Sequence, residues 1–91
     1  MMKVKRTLTV INKLGLHARA SAQLVKLTSL YCSDIWLTLD QQTANGKNIM
    51  ELMILAASKD SEIVVIAEGS DAKRAVDDIE ALFLDRFKEA E

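Results

Sequence analysis

The segment Gly15-Leu16-His17-Ala18-Arg19 holds the chain's only histidine, with a glycine two residues before it and an arginine two residues after it. A neutral imidazole nitrogen is a competent nucleophile near neutral pH. A guanidinium adds a permanent charge and forked donors that suit phosphate oxygens, and glycine allows a sharp turn and close backbone approach. Nucleophile, anion pocket and guanidinium converge within five residues.

The flanking patterns place that segment. Upstream, Val4-Lys5-Arg6-Thr7-Leu8-Thr9-Val10 alternates with period two, as a strand with one buried face does. Downstream, Ser21, Leu24, Val25 and Thr28 recur at helical spacing. His17 therefore falls at a helix start, where the first backbone N–H groups lack intrahelical partners and the macrodipole is positive, so an anion is favoured. Local chemistry leaves a plainer reading open, in which His17 only caps the helix and Arg19 is a solvated surface charge.

Ninety-one residues, written out in one run without linker, repeat or low-complexity tract, suit one domain able to bury a core without disulfides or metal. Cys32 is the only cysteine, so no internal disulfide is possible and a reducing cytosol is the simplest setting. Its expected role is that of a small buried hydrophobe. Twelve basic and 13 acidic residues give a net charge of −1, which offers no whole-molecule attraction to nucleic acid. No apolar run reaches a membrane span and the N-terminus lacks a signal-peptide core, which points to the cytoplasm.

In chain order, the first strand spans about Lys3 to Val10 with Val4, Leu8 and Val10 inward and Arg6 near the rim. The first helix runs from about Ala18 to Leu30, with Tyr31 joining its buried stripe. A second strand, about Ser33 to Leu39, turns Ile35, Leu37 and Leu39 inward and Trp36 and Thr38 outward. Asp40-Gln41 reads as a hairpin turn into a short strand, Gln42 to Asn45. The run from Ile49 to Leu55 is apolar almost throughout and fits a buried strand or a short helix; Asn48, a strong N-cap residue just before it, favours the helix. Its exposed side would offer Ile49, Met50 and Met53 for docking, although pattern alone equally allows all three in the core. The last strand, about Glu62 to Glu68, carries Ile63, Val65 and Ala67 on one face and Val64 and Ile66 on the other. A closing helix starts near Asp71 as N-cap and runs to about Phe87 on the stripe Val76, Ile79, Phe83, Phe87, after which residues 88–91 are expected to fray.

Strand, helix, strand, strand, helix, strand, helix reads as an α+β two-layer sandwich with three helices on one face of an antiparallel sheet. Pattern alone does not separate this from a ferredoxin-like arrangement.

Three blocks carry a resemblance. The run from Asn12 to Ala20, the run from Asn45 to Met53 and Ala67-Glu68-Gly69-Ser70-Asp71 together resemble the HPr family of phosphocarriers from bacterial phosphotransferase systems. The likeness implies an open-faced sandwich, β-α-β-β-α-β-α, with strand order 1-4-2-3. It implies that His17 accepts a phosphoryl group at Nδ1 from an enzyme I-type protein charged by phosphoenolpyruvate and passes it to an EIIA-type protein. Arg19 and the backbone at Gly15, Ala18 and Arg19 would steady the phosphoryl group, while Ala20, Ile49, Met50 and Met53 would meet partners. The implied protein is a monomeric carrier rather than an enzyme, with no cofactor, no metal, no nucleic acid and no membrane insertion.

Departures from the family pattern sharpen the expectation. Ala20 stands where many members have proline, and alanine there, the INKLGLHARA run and the Arg86-Phe87 ending resemble the nitrogen-related branch, often called NPr. Asn48 replaces the serine that a regulatory kinase phosphorylates in many members, so capping survives and the hydroxyl is lost. Asp60 stands where members often have glycine. The remaining alternatives are the sugar-transport branch, a non-catalytic regulatory module on the same fold, which would be expected to lack the histidine, and a small ligand-binding α+β domain.

Overall fold

Apolar side chains that alternate along the three longer strands, with Ala44 in the short one, bury one face of a four-stranded sheet. In the computed structural model, which describes residues 2–91, β1 (Lys3–Thr9), β2 (Asp34–Leu39), β3 (Gln42–Asn45) and β4 (Glu62–Glu68) are antiparallel in the order β1-β4-β2-β3. The helices are α1 (Ala18–Thr28), α2 (Ile49–Leu55) and α3 (Ala72–Leu84), giving the expected order of elements. Leu8, Ile35, Leu37, Ile63 and Val65 from the strands share one core with Leu24, Leu52, Val76, Ile79 and Phe83 from the helices. Burying those side chains is the main driving force for closing the two layers.

Register follows the alternation. Leu37 lies opposite Val65, which lies opposite Arg6 on its other side. Arg6 stands in an inward row, and its guanidinium reaches the rim to meet Asp77 at 2.7 Å and Glu80 at 3.0 Å on α3. On the other face Trp36 pairs with Ile66 and Thr38 with Val64, and all four are half-buried. Leu39 pairs with Gln42, so Asp40-Gln41 is the two-residue turn that the sequence predicts.

The ambiguous apolar run resolves as a helix. Asn48 has extended backbone and its Oδ1 accepts the N–H of Glu51 at 3.0 Å, satisfying a donor that a helix start leaves open. Leu52 and Leu55 are buried, while Met50 and Ile54 are exposed.

Three expectations need correction. α3 stops at Leu84, and Arg86, Phe87 and Lys88 all have positive φ, so Phe87 is not on the helix. Its ring is nevertheless buried and packs on Phe83 with centroids 4.8 Å apart, because the left-handed turn swings it back onto the core. The tail beyond does not fray: the Lys13 N–H donates to the Glu91 carbonyl at 2.5 Å, and Glu89 is tied down as described below. Cys32 is exposed rather than buried, since its backbone N–H is held by the Asp71 carboxylate at 2.9 Å in the turn before β2. Asp71 does stand at the N-cap of α3 but gives its side chain to that turn and not to its own helix. Asp60 has φ 76°, the left-handed backbone for which glycine is the usual choice.

Candidate functional site

β1 ends where the chain must turn back over the helical layer, and the loop that does so is held from inside. Asn12 is fully buried, and its Nδ2 donates to the Gly15 carbonyl at 2.8 Å. Gly15 has φ 66°, and a Cβ there would collide with the carbonyl of Ala57. The Leu16 N–H donates to that same carbonyl at 2.8 Å. Glycine is therefore required twice over, for the left-handed turn and for the close approach to the chain that follows α2.

This loop delivers His17 to the N-cap of α1, with φ −73° and ψ −177°. Its carbonyl accepts the Ser21 N–H at 2.9 Å and opens the helix, but its side chain makes no capping hydrogen bond. His17 thus occupies the N-cap position without capping through its side chain. The ring is partly exposed, and Nε2 is hydrogen-bonded to a carboxylate oxygen of Glu89. Nδ1 has no hydrogen-bond partner among the described residues.

The backbone N–H groups of Ala18 and Arg19 have no hydrogen-bond partner among the described residues and lie at the positive end of α1. The Gly15 N–H, by contrast, already donates to the Asn12 carbonyl at 3.3 Å. Gly15 thus shapes the loop, and its own N–H is already engaged. Arg19 is exposed at the start of α1, and it lines one cleft together with Lys13, His17, Gln23, Lys88 and Glu89.

Glu89 is the residue that local sequence patterns miss. Its Oε1 accepts from Asn12 Nδ2 at 3.0 Å while its other oxygen meets His17. Burial pushes its carboxyl upward; hydrogen bonds from Asn12 and His17, with the charges of His17 and Arg19, outweigh this and hold it below the ordinary carboxylate range. No periodicity marks it, because it reaches the site only through the left-handed turn after α3. Asn12 lies inside the motif run, but its role inside the loop is visible only in three dimensions.

Of the expected docking residues, Met50 and Met53 are exposed and Ile49 is half-buried. Ala20 is fully buried, so its methyl belongs to the core and offers no partner surface. Leu14, 65% exposed on the loop before His17, is a better candidate that the pattern reading passed over. No cluster of histidine, cysteine and carboxylate groups among the described residues is arranged to hold a metal ion. Among the described residues no helix is long and apolar enough to cross a membrane.

Residues 4–85 match the family model of the PTS HPr component phosphorylation site. The chain belongs to the HPr family. It is 40% identical over 88 residues to phosphocarrier protein HPr of Neisseria meningitidis, covering 97% of this chain and 99% of that one. Phosphocarrier protein NPr of Shewanella violacea is 36% identical over 90 residues, with 99% of each chain covered. The crystal structure of HPr-C-His from Thermoanaerobacter tengcongensis superposes with a TM-score of 0.90 at 35% identity over the whole of both chains. The family's members are phosphocarriers, and this chain is a carrier of that kind rather than a free-standing enzyme.

Proposed function

We propose that His17 accepts a phosphoryl group from an enzyme I-type protein charged by phosphoenolpyruvate and hands it to a histidine of an EIIA-type protein in the cytoplasm. The observation that carries this reading is the placement of the chain's only imidazole at the start of α1, with Nδ1 and the Ala18 and Arg19 amides free of hydrogen-bond partners among the described residues. A helix N-terminus suits phosphate oxygens, and Arg19 adds charge-assisted donors. The ring is only partly covered, which suits a carrier: deep stabilisation of the phosphorylated form would slow donation to the next protein.

Partner contact falls to exposed apolar side chains of α2 and of the loop before His17. Met50, Met53 and Leu14 are exposed, and flexible methionine side chains adapt to more than one partner surface. We place the chain in the nitrogen-related branch, on Ala20 directly after His17-Ala18-Arg19 and on the Arg86-Phe87 ending. The sugar-transport branch is the second reading, favoured by the 40% identity to an HPr against 36% to an NPr. Asn48 presents no hydroxyl, so regulation through a kinase acting at that position does not apply in either branch.

Incubation with phosphoenolpyruvate, magnesium and a cognate enzyme I tests the carrier role. One acid-labile, base-stable phosphoryl group should attach to the wild-type chain and none to folded His17→Ala, while Arg19→Ala should label more slowly. Labelling of His17→Ala, or no labelling of wild type by any of several enzyme I proteins, would overturn the proposal.

A further inference from the structure

We propose that Glu89 is a positioning residue for the phosphoryl acceptor: its carboxylate holds His17 as the Nε2–H tautomer and thereby presents Nδ1 as the nucleophile. This rests on the reading of His17 as the acceptor. It concerns a residue outside the family match, which ends at residue 85.

The chemistry of the partner assigns the tautomer. An ionised carboxylate only accepts hydrogen bonds, so the ring nitrogen that meets Glu89 must carry the proton. In the neutral ring the other nitrogen, Nδ1, then keeps its lone pair, and no group among the described residues engages it. A carboxylate that fixes a functional histidine through its second nitrogen sets both tautomer and ring orientation.

Glu89 is itself held in place, which separates it from a loose tail contact. Asn12, fully buried beneath the loop, donates to its second oxygen at 3.0 Å. On one side Phe87 anchors the chain in the core, and on the other the Lys13 N–H binds the Glu91 carbonyl at 2.5 Å. The Glu89 side chain is 14% exposed against 29% for His17, so the carboxylate is the more sheltered of the pair.

The transfer step balances without moving a proton at His17. The Nδ1 lone pair attacks phosphorus, the N–P bond of the donor phosphohistidine breaks, and its electron pair returns to the donor imidazole nitrogen. His17 then bears the phosphoryl group on Nδ1 and its original proton on Nε2, so the ring has become cationic. Glu89 faces that new charge and stabilises it. The phosphoryl oxygens fall to the α1 amides and Arg19, and the two charges are served from opposite sides of the ring.

Two readouts on the full chain test this. Because His17 is the only histidine, its ring nitrogens give one set of 15N signals. In alkaline buffer wild type should show a pyrrole-like Nε2 and a pyridine-like Nδ1, and Glu89→Ala should shift both towards a mixture. Single-turnover transfer from phosphorylated enzyme I should slow about tenfold in Glu89→Ala, the low end of what orienting carboxylates contribute at histidine metal ligands. The concentration for half-saturation should not change. Glu89→Gln keeps an acceptor for Nε2–H and should recover part of the tautomer signature. A protonated Nδ1 in wild type, or variants that leave both the signals and the rate unmoved, would overturn the positioning role. Wild type that shows the Nε2–H tautomer yet takes no phosphoryl group from any enzyme I overturns the carrier reading itself, a different failure from the first.

Discussion

Asp71, at the N-cap of α3, binds Ser33 across the fold by accepting from both its hydroxyl and, at 3.0 Å, its backbone N–H. The second carboxylate oxygen takes the Cys32 N–H at 2.9 Å. One side chain thus fastens the start of α3 to the entry of β2, and α3 forgoes its own side-chain cap.

The Ser33 hydroxyl, followed by the Cys32 amide, holds the Asp71 carboxyl well below the ordinary carboxylate range. A carboxyl whose folded-state pKa is depressed stabilises the fold above its unfolded value of about 3.9, and that contribution is lost as pH falls below it. Asp71→Asn should therefore be less stable than wild type at neutral pH and converge on it in acid. Urea midpoints measured from about pH 6 down to about pH 2 should give a shallower acid decline for the variant. Parallel declines would show that Asp71 contributes nothing to acid sensitivity.

Asn48 offers a second test, in which a single hydrogen bond decides the outcome. Its Oδ1 accepts from Glu51 N–H at 3.0 Å, and the Glu51 carboxylate in turn accepts the Asn45 N–H at 2.9 Å, linking the end of β3 to α2. Asn48→Ala should cost about 1 kcal/mol, which for a domain of this size lowers the thermal midpoint by roughly 4–8 °C. Asn48→Ser, which retains a capping oxygen, should recover most of the loss. Melts in which alanine and serine behave alike would remove the cap from the account.

The strands and the site segment were legible in the sequence because their signals are local. Val65 and Leu37 face the core because alternation puts them there, and His17 opens α1 because Gly15 and the following helical stripe bracket it. The HPr resemblance implied the strand order 1-4-2-3, which no local pattern carries. Glu89 and Asn12 were illegible for the same physical reason: their roles depend on a contact between positions 77 residues apart. Phe87 misled because its spacing continued the α3 stripe, although the backbone breaks at Asp85 and reaches the same core by another route. Ala20 misled in the opposite direction, since a residue beside the motif in sequence faces the interior once the helix forms.

That break in α3 carries the last prediction. Arg86, Phe87 and Lys88 have φ of 53°, 53° and 65°, and left-handed backbone costs an L-residue roughly 1–2 kcal/mol. What holds the turn is Phe87, 1% exposed and packed against Phe83 with the rings inclined at 57°. Phe87→Ala should cost about 3 kcal/mol, the low end for a buried phenylalanine, because the freed turn also relaxes its backbone. The helix ends before the turn, so the rest of the fold should persist while the tail undocks and carries Glu89 away from His17. The His17 ring signals of Phe87→Ala should then move in the same direction as those of Glu89→Ala. Arg86→Gly, which accepts left-handed backbone without strain and leaves Phe87 in place, should instead keep the ring signals of wild type and melt no lower than it. A Phe87→Ala protein that unfolds at the wild-type temperature with unchanged ring signals would show that the tail is held by its polar contacts alone.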